Sequence, residues 1–431
     1  MKRFAMSELI DWKNRKSKKP LIIRGARQVG KTWLLKEFGK TMYKDYIYIN
    51  FDDNPQMEKL FSLNLEPSRL IEGLSVYSGK AIDRETLLIF DEIQEVPNAL
   101  NSLKYFYEDA SEYQIVAAGS LLGIALHSGT SFPVGKVEFM DLYPMSFSEF
   151  LCATGYEKHA KNLAEGNLDF IGVIKSELID LLKKYMFVGG MPEAVLSYSQ
   201  NKNYAEVKKI HLQILGTYEN DFSKHAPINI VPRIRMLWQS IPHQLAKENK
   251  KFIYGLVKEG SRAREYEIAL MWLSDCGLIR QVKRVKKGSM PLKFYEDWHA
   301  FKLFILDVGL LCELSGIDAK VLVDRDDLLT EYKGAITEQF VLQQLVAIGI
   351  TPYYWSNDTS DGEVDFVFQN ETEIIPIEVK AAENLRAKSL KAFAAEYKIP
   401  KAVRTSLSDF RKDELIVNVP LYLIEFIKKY L

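Results

Sequence analysis

Short apolar runs recur through the first third of the chain, each separated from the next by a stretch with helical spacing. The runs are Leu21-Ile22-Ile23, Tyr46-Ile47-Tyr48-Ile49, Leu87-Leu88-Ile89-Phe90, Ile115-Val116-Ala117-Ala118 and Val137 to Tyr143. This alternation predicts a parallel sheet with crossover helices over residues 1–150. From Met145 to Phe222 the period becomes helical, as in Leu178-Ile179-Asp180-Leu181-Leu182, with one interruption at Gly189-Gly190-Met191-Pro192. An all-α lid over 151–228 is expected there. Between Pro232 and Leu314, short helices lead into the alternating segment Leu278 to Val285, then Gly288-Ser289 and a second apolar run. Helices followed by a small hairpin predict a winged-helix-like domain over 229–318. From Thr330 onward come a helix around Glu338, a hairpin turning near Asn370-Glu371-Thr372 and a terminal α/β segment, together a fourth region over 319–431. The fold class is α/β.

Directly after the first apolar run stands Gly25-Ala26-Arg27-Gln28-Val29-Gly30-Lys31-Thr32, followed by the helical stretch Trp33-Leu34-Leu35-Lys36-Glu37-Phe38. This is G-x-x-x-x-G-K-[ST] between a strand and a helix, the context a phosphate-binding loop requires. Glycines let the backbone curl so that its N–H groups and the helix N-terminus face phosphates. Lys31 reaches the β and γ oxygens, and Thr32 offers a hydroxyl to Mg²⁺. The third run ends in Asp91-Glu92, two carboxylates at the carboxyl end of a buried strand. Asp91 is expected to hold the metal's water shell and Glu92 to activate a water, which favours hydrolysis over transfer to an acceptor. Ser120, after the fourth run, reads either as a γ-phosphate sensor or as a helix cap.

These residues resemble a known family, prokaryotic AAA-type ATPases whose C-terminal half is a domain of unknown function (DUF4143-like) with a restriction-endonuclease-like fold. The resemblance rests on residues 25–32, on Asp91-Glu92-Ile93-Gln94, on Gly119-Ser120, on residues 143–150 and on Gly189-Gly190-Met191-Pro192-Glu193. It implies ATP and Mg²⁺ as ligands of the first domain. The last motif is similar to the G-x-P signature of signal-transduction ATPases, which makes Pro192 a candidate adenine contact. A helix stopped by Gly and restarted by Pro needs no ligand, and both readings can hold. Relatives often carry Gly-Arg where this chain has Gly135-Lys136, so no arginine finger is assigned there; Arg27 and Arg69 are the remaining candidates.

A second constellation lies near the C-terminus. Glu363 to Phe368 and Ile374 to Lys380 read as paired strands, and alternation puts Glu378 and Lys380 on one face. Asp365 of the partner strand can converge on that face, and Glu338 sits on the preceding helix. The set resembles the PD-(D/E)xK nuclease pattern. That resemblance implies a second divalent cation on Asp365 and Glu378, with Glu338 nearby, and Lys380 acting on the attacking water.

Composition modifies this picture in two ways. The 57 Lys and Arg exactly cancel the 57 Asp and Glu, which taken whole offers no pull toward nucleic acid. Yet Arg233 to Lys293 holds fourteen basic and five acidic residues, with Lys283, Arg284, Lys286 and Lys287 near the expected wing. DNA therefore stands as a candidate partner, engaged through phosphates without sequence readout. Trp238 and Trp272 occupy apolar positions and are expected in the core. The 3 cysteines, Cys152, Cys276 and Cys312, are too scattered for a disulfide framework or a thiolate metal site. With no leader-like N-terminus and no long apolar stretch, a cytoplasmic location and no membrane partner are expected. The leading expectation is an ATP hydrolase whose nucleotide state controls a DNA-associated nuclease-like domain. The alternative is a regulatory switch without nuclease activity, acting on a protein or nucleic-acid partner or as a homo-oligomer. A small-molecule kinase is disfavoured by Glu92.

Overall fold

The five apolar runs of the N-terminal third become strands β1 (Leu21–Arg24), β2 (Asp45–Asn50), β3 (Thr86–Asp91), β4 (Gln114–Gly119) and β5 (Glu138–Asp141). The structure, a computed structural model, describes residues 1–120, 133–247, 250–319, 330–357, 362–381 and 387–431. It divides into two units, Arg3–Tyr143 with Asp275–Gly277, and Met1–Lys2 with Pro144–Ser274 and Leu278–Leu431.

In the first unit the strands form one parallel sheet in the order β2-β3-β4-β1-β5. Strands covered on both faces read as continuous apolar runs rather than alternating ones, which is why Leu87 to Phe90 carries no polar residue. Helix α1 (Ala5–Asn14) precedes the sheet, and the crossover helices are α2 (Lys31–Met42), α3 (Pro55–Ser62), α4 (Pro67–Ser78) and α5 (Pro97–Asp109). Phe51, Phe61 and Phe90 meet edge to face at 5.4–6.2 Å, packing α3 onto β3. Strand β4 lies between β1 and β3, so the Asp91 strand is one removed from the loop strand.

The second unit carries α6 (Phe147–Ala153), α7 (Glu157–Glu165), α8 (Leu168–Val173), α9 (Lys175–Val188), α10 (Pro192–Asn201), α11 (Tyr204–His225), α12 (Val231–Leu245), α13 (Ala263–Asp275), α14 (Val308–Leu314), α15 (Thr330–Ala347) and α16 (Lys388–Tyr397). Its strands are β6 (Ile279–Val285), β7 (Glu296–Ile305), β8 (Tyr353–Ser356), β9 (Glu363–Asn370), β10 (Glu373–Val379), β11 (Ala402–Ser406), β12 (Arg411–Lys412) and β13 (Ile416–Pro420).

The hairpin β6–β7 was expected as the wing of a domain ending at 318. Instead it extends a sheet of order β12-β13-β11-β10-β9-β8-β6-β7, through parallel pairing of Arg284 with Tyr354 and Val285 with Trp355. Backbone groups on β6 pair with a strand some seventy residues downstream, so one sheet runs across the expected 318/319 cut. The first compact unit ends at Tyr143, a few residues before the expected cut at 150, and α6 spans that cut. The helical region does not end at 228 either, because its buried polar groups are completed by the C-terminal half. Asp307 accepts from the N–H of Gly190 (2.6 Å), Gly309 (2.9 Å) and Leu310 (3.1 Å), and from the Gln343 amide (2.9 Å). Gln344 accepts from Phe147 N–H at 2.9 Å and Glu425 from Ser148 N–H at 3.1 Å. Burial pushes the Asp307 carboxyl upward, and its four donors counter that. A Cβ on Gly189 would sit 2.1 Å from the Asp307 carboxylate, and one on Gly190 2.2 Å from the Met145 carbonyl, so this Gly-Gly pair is fixed by close approach.

Candidate nucleotide site and carboxylate cluster

Residues 25–30 leave β1 as a loop and enter α2 at Lys31. The turn needs positive φ at Gln28 (65°) and Gly30 (93°), while a Cβ on Gly25 would meet the Leu142 carbonyl at 2.3 Å. The loop thus closes through Gly25 and hands its N–H groups to the space in front of α2. Lys31 is 6% exposed. Its ammonium donates to the carbonyls of Gly25 (2.9 Å) and Ala26 (2.8 Å). Burial lowers its pKa to about 8 against the opposing pull of Glu92 and Asp91, with Arg27 adding to the lowering. Thr32 donates to Asp91 Oδ2 at 2.7 Å, and Tyr48 from β2 donates to the same oxygen at 2.9 Å. A cradle of this shape, a buried ammonium and a hydroxyl bonded to a carboxylate fit a nucleoside triphosphate with Mg²⁺.

Glu92 follows β3 in the left-handed region (φ 50°), which turns its side chain away from the strand direction. The carboxylate accepts from the Ser120 hydroxyl (2.9 and 3.0 Å), the Ser120 N–H (3.3 Å) and the Gln94 amide (2.7 Å). Burial works to raise its pKa, but Gln94, Lys31 and Ser120 outweigh that and hold the carboxyl below the usual range. Ser120 therefore gives its hydroxyl to Glu92; the segment that it would cap under the other reading lies outside the described residues. Gln94 Oε1 is buried without a hydrogen-bond partner.

In the second unit, Glu338 and Asp365 gather with Glu363, a residue not among the expected set, around the two cations Lys302 and Lys250, while Glu378 and Lys380 pair with each other. Lys302 on β7 is 0% exposed. Its ammonium binds Glu363 and lies 3.6 Å from Glu338 and 3.9 Å from Asp365. Lys250 also binds Glu338. Burial would lower Lys302, yet the surrounding carboxylates raise it well above the ordinary lysine range. Asp365 accepts from Val379 N–H at 2.7 Å, and burial together with the Glu338 charge raises it to about 7. Lys380 pairs with Glu378 at 2.7 Å, and Glu378 Oε2 is buried without a hydrogen-bond partner. Among the described residues no group of three or more His, Cys, Asp or Glu is arranged to hold a metal ion.

Residues 17–151 match the AAA domain, 179–321 a domain of unknown function (DUF8612) and 333–424 a domain of unknown function (DUF4143). The chain carries an AAA domain and a DUF4143 domain. Uncharacterized proteins of Mycobacterium bovis and Mycobacterium tuberculosis are each 22% identical over 419 residues, covering 93% of this chain and 76% of the relative. Among solved structures, the Walker-type ATPase PABY2304 of Pyrococcus abyssi is 16% identical, covering 73% of this chain and 95% of that one, with TM-score 0.45. The ORC2 protein of Aeropyrum pernix in its ADPNP-ADP complexes is 13% identical, covering 78% and 93%, with TM-score 0.36.

The remaining expected residues are placed as follows. Pro192 begins α10 in the second unit, beside the Gly190–Asp307 bond. Arg69 is engaged by Asn64 Oδ1 (2.7 Å) and the Leu60 carbonyl (2.9 Å), holding the end of α3 rather than projecting as a finger. Lys136 pairs with Glu108 at 2.8 Å. Lys283 and Arg284 of the basic stretch pair with Glu296 and Asp297 across β6–β7. Trp238 and Trp272 are buried as expected. The three cysteines form no disulfide, and no helix among the described residues is long and apolar enough to cross a membrane. The residue that sequence reasoning missed is Lys302. Its signal was present, a lysine inside Ala300-Phe301-Lys302-Leu303-Phe304-Ile305, since a lysine in a buried strand must meet a carboxylate.

Proposed function

We propose that the AAA domain is a Mg²⁺-dependent ATP hydrolase. The observation that carries this reading is the buried Lys31 ammonium, held by two loop carbonyls beside the Thr32–Asp91 pair and the ionised Glu92. Residues 25–32 hold the phosphates, Thr32 and Asp91 the metal and its water, and Mg²⁺ supplies charge neutralisation on the phosphate oxygens. Glu92 takes the proton from the attacking water, and Ser120 and Gln94 aim its carboxylate. Lys31→Ala is expected to lose ATP binding, measured by titration calorimetry, and unchanged turnover in the purified variant overturns the assignment. A pH series adds a second readout. Lys31 titrates near 8 in the free protein and only its charged form attracts phosphate. Affinity is therefore full below pH 8 and declines above it, where ATP itself is already fully ionised; in Lys31→Arg the decline is absent.

For the DUF4143 domain, Lys302 supports the reading of a non-nucleolytic switch. A buried ammonium among Glu338, Glu363 and Asp365 already supplies the positive charge that a catalytic cation would bring. In this reading DNA is engaged through the basic surface of residues 280–293, which lies in the 179–321 region ahead of the DUF4143 domain, under control of the nucleotide. The wild type is expected to leave DNA uncut with Mg²⁺ or Mn²⁺, with or without ATP. Metal-dependent cleavage that disappears in Asp365→Ala/Lys380→Ala establishes a controlled nuclease instead.

A further inference from the structure

The connection between β6 and β7 concentrates charge. From Cys276 to Tyr295 there are six Lys or Arg and no Asp or Glu. Glu296 and Asp297 neutralise Lys283 and Arg284, while Lys286, Lys287 and Lys293 stand exposed. Two large aromatics share this region, with Phe294 83% and Trp298 73% exposed.

The exposure of Trp298 has a structural cause. Lys283 pairs with Phe301 and the next residue, Arg284, with Asp297, so Trp298, His299 and Ala300 are extra residues in β7. Such a bulge re-aims side chains. Here it lifts Trp298 out of the sheet, with the Lys283 ammonium 3.9 Å from the ring centroid. A cation over one face leaves the ring's other face for a second partner.

The support beneath is rigid. Val285 and Leu292 are buried in a core with Trp355 and Phe393. Gly288 lies so close to α16 that a Cβ would meet Phe393 at 2.4 Å. The backbone of the connection is therefore anchored before binding, so only the side chains have to be ordered by a ligand.

We propose that this connection and bulge form a platform for single-stranded nucleic acid, with Trp298 and Phe294 stacking on unpaired bases and Lys286, Lys287 and Lys293 taking phosphates. This rests on the DNA-binding reading above and narrows it. Exposed rings interleaved with lysines suit a strand whose base faces are open, whereas a duplex hides those faces and rewards only the charge.

The test uses the full chain and fluorescence anisotropy, with an oligothymidylate of about 20 nucleotides and a blunt duplex of equal length. Trp298→Ala and Phe294→Ala are each expected to weaken single-strand binding by about 10-fold while leaving the duplex little changed, and Trp298→Phe to restore most of the loss. Lys286→Glu/Lys287→Glu should weaken both ligands and flatten the salt dependence. ATP binding serves as the fold control. Unchanged single-strand affinity in both alanine variants, with charge reversal still effective, overturns the platform and leaves the DNA reading standing. No binding of either oligonucleotide at low salt overturns both, and points to a protein partner for the same surface.

Discussion

Glu92→Gln binds ATP about as well as the wild type but turns it over at least ~10²-fold more slowly. The amide keeps the size of the side chain and one acceptor oxygen for Ser120 and Gln94, and it loses the negative charge and the ability to take a proton. The carboxylate is held ionised below its usual range, so the wild type has its base ready across the neutral range. The loss should therefore fall on kcat, with the apparent affinity for ATP little altered. Steady-state phosphate release together with equilibrium nucleotide binding reads both quantities. Equal losses in binding and turnover would mean that Glu92 supports the loop and does not act on water.

Lys302→Met should cost about 3–5 kcal/mol of unfolding stability, because it removes one side of a buried charge arrangement and leaves Glu338, Glu363 and Asp365 facing one another. The sign of its pH dependence follows. Without the ammonium, burial and mutual repulsion push Asp365 and Glu338 upward, so the folded state binds protons more tightly. The deficit against the wild type then shrinks as pH falls from 8 toward 5 and is largest in alkali. Urea unfolding at two pH values measures this; a deficit independent of pH assigns Lys302 to packing rather than charge.

The first unit was largely legible because its chemistry is written in contiguous words. A strand, the loop 25–32 and a helix follow one another directly, and Asp91-Glu92 ends a run that only a doubly covered strand would tolerate. The second unit was less so, because its decisive pairings are remote. Nothing local in Leu278 to Val285 says that its neighbour will be Tyr354 and Trp355, and a hairpin preceded by helices reads the same whether it is a wing or a sheet edge. Asp365, Glu378 and Lys380 were found by alternation along two adjacent strands. Lys302 and Lys250 were not, since they reach the same cluster from segments about sixty and a hundred residues away. The Gly189-Gly190 interruption was visible as a break, but its cause, the Asp307 carboxylate, lies more than a hundred residues further on.

Asp307 also bears on how this protein can be dissected. A polypeptide stopped at residue 228 would contain every helix expected of the lid, yet Gly190, Phe147 and Ser148 would lose the carboxylates and amide that receive their N–H groups. Each such orphaned donor costs on the order of 1–3 kcal/mol. A nascent chain faces the same shortage while the ribosome is still translating the second half. The stretch 144–228 must then wait for residues 307, 344 and 425 before it can settle, whereas the strands of the AAA sheet are all synthesised by residue 141. Cutting at Tyr143/Pro144 respects this dependence; cutting at the end of the helices does not.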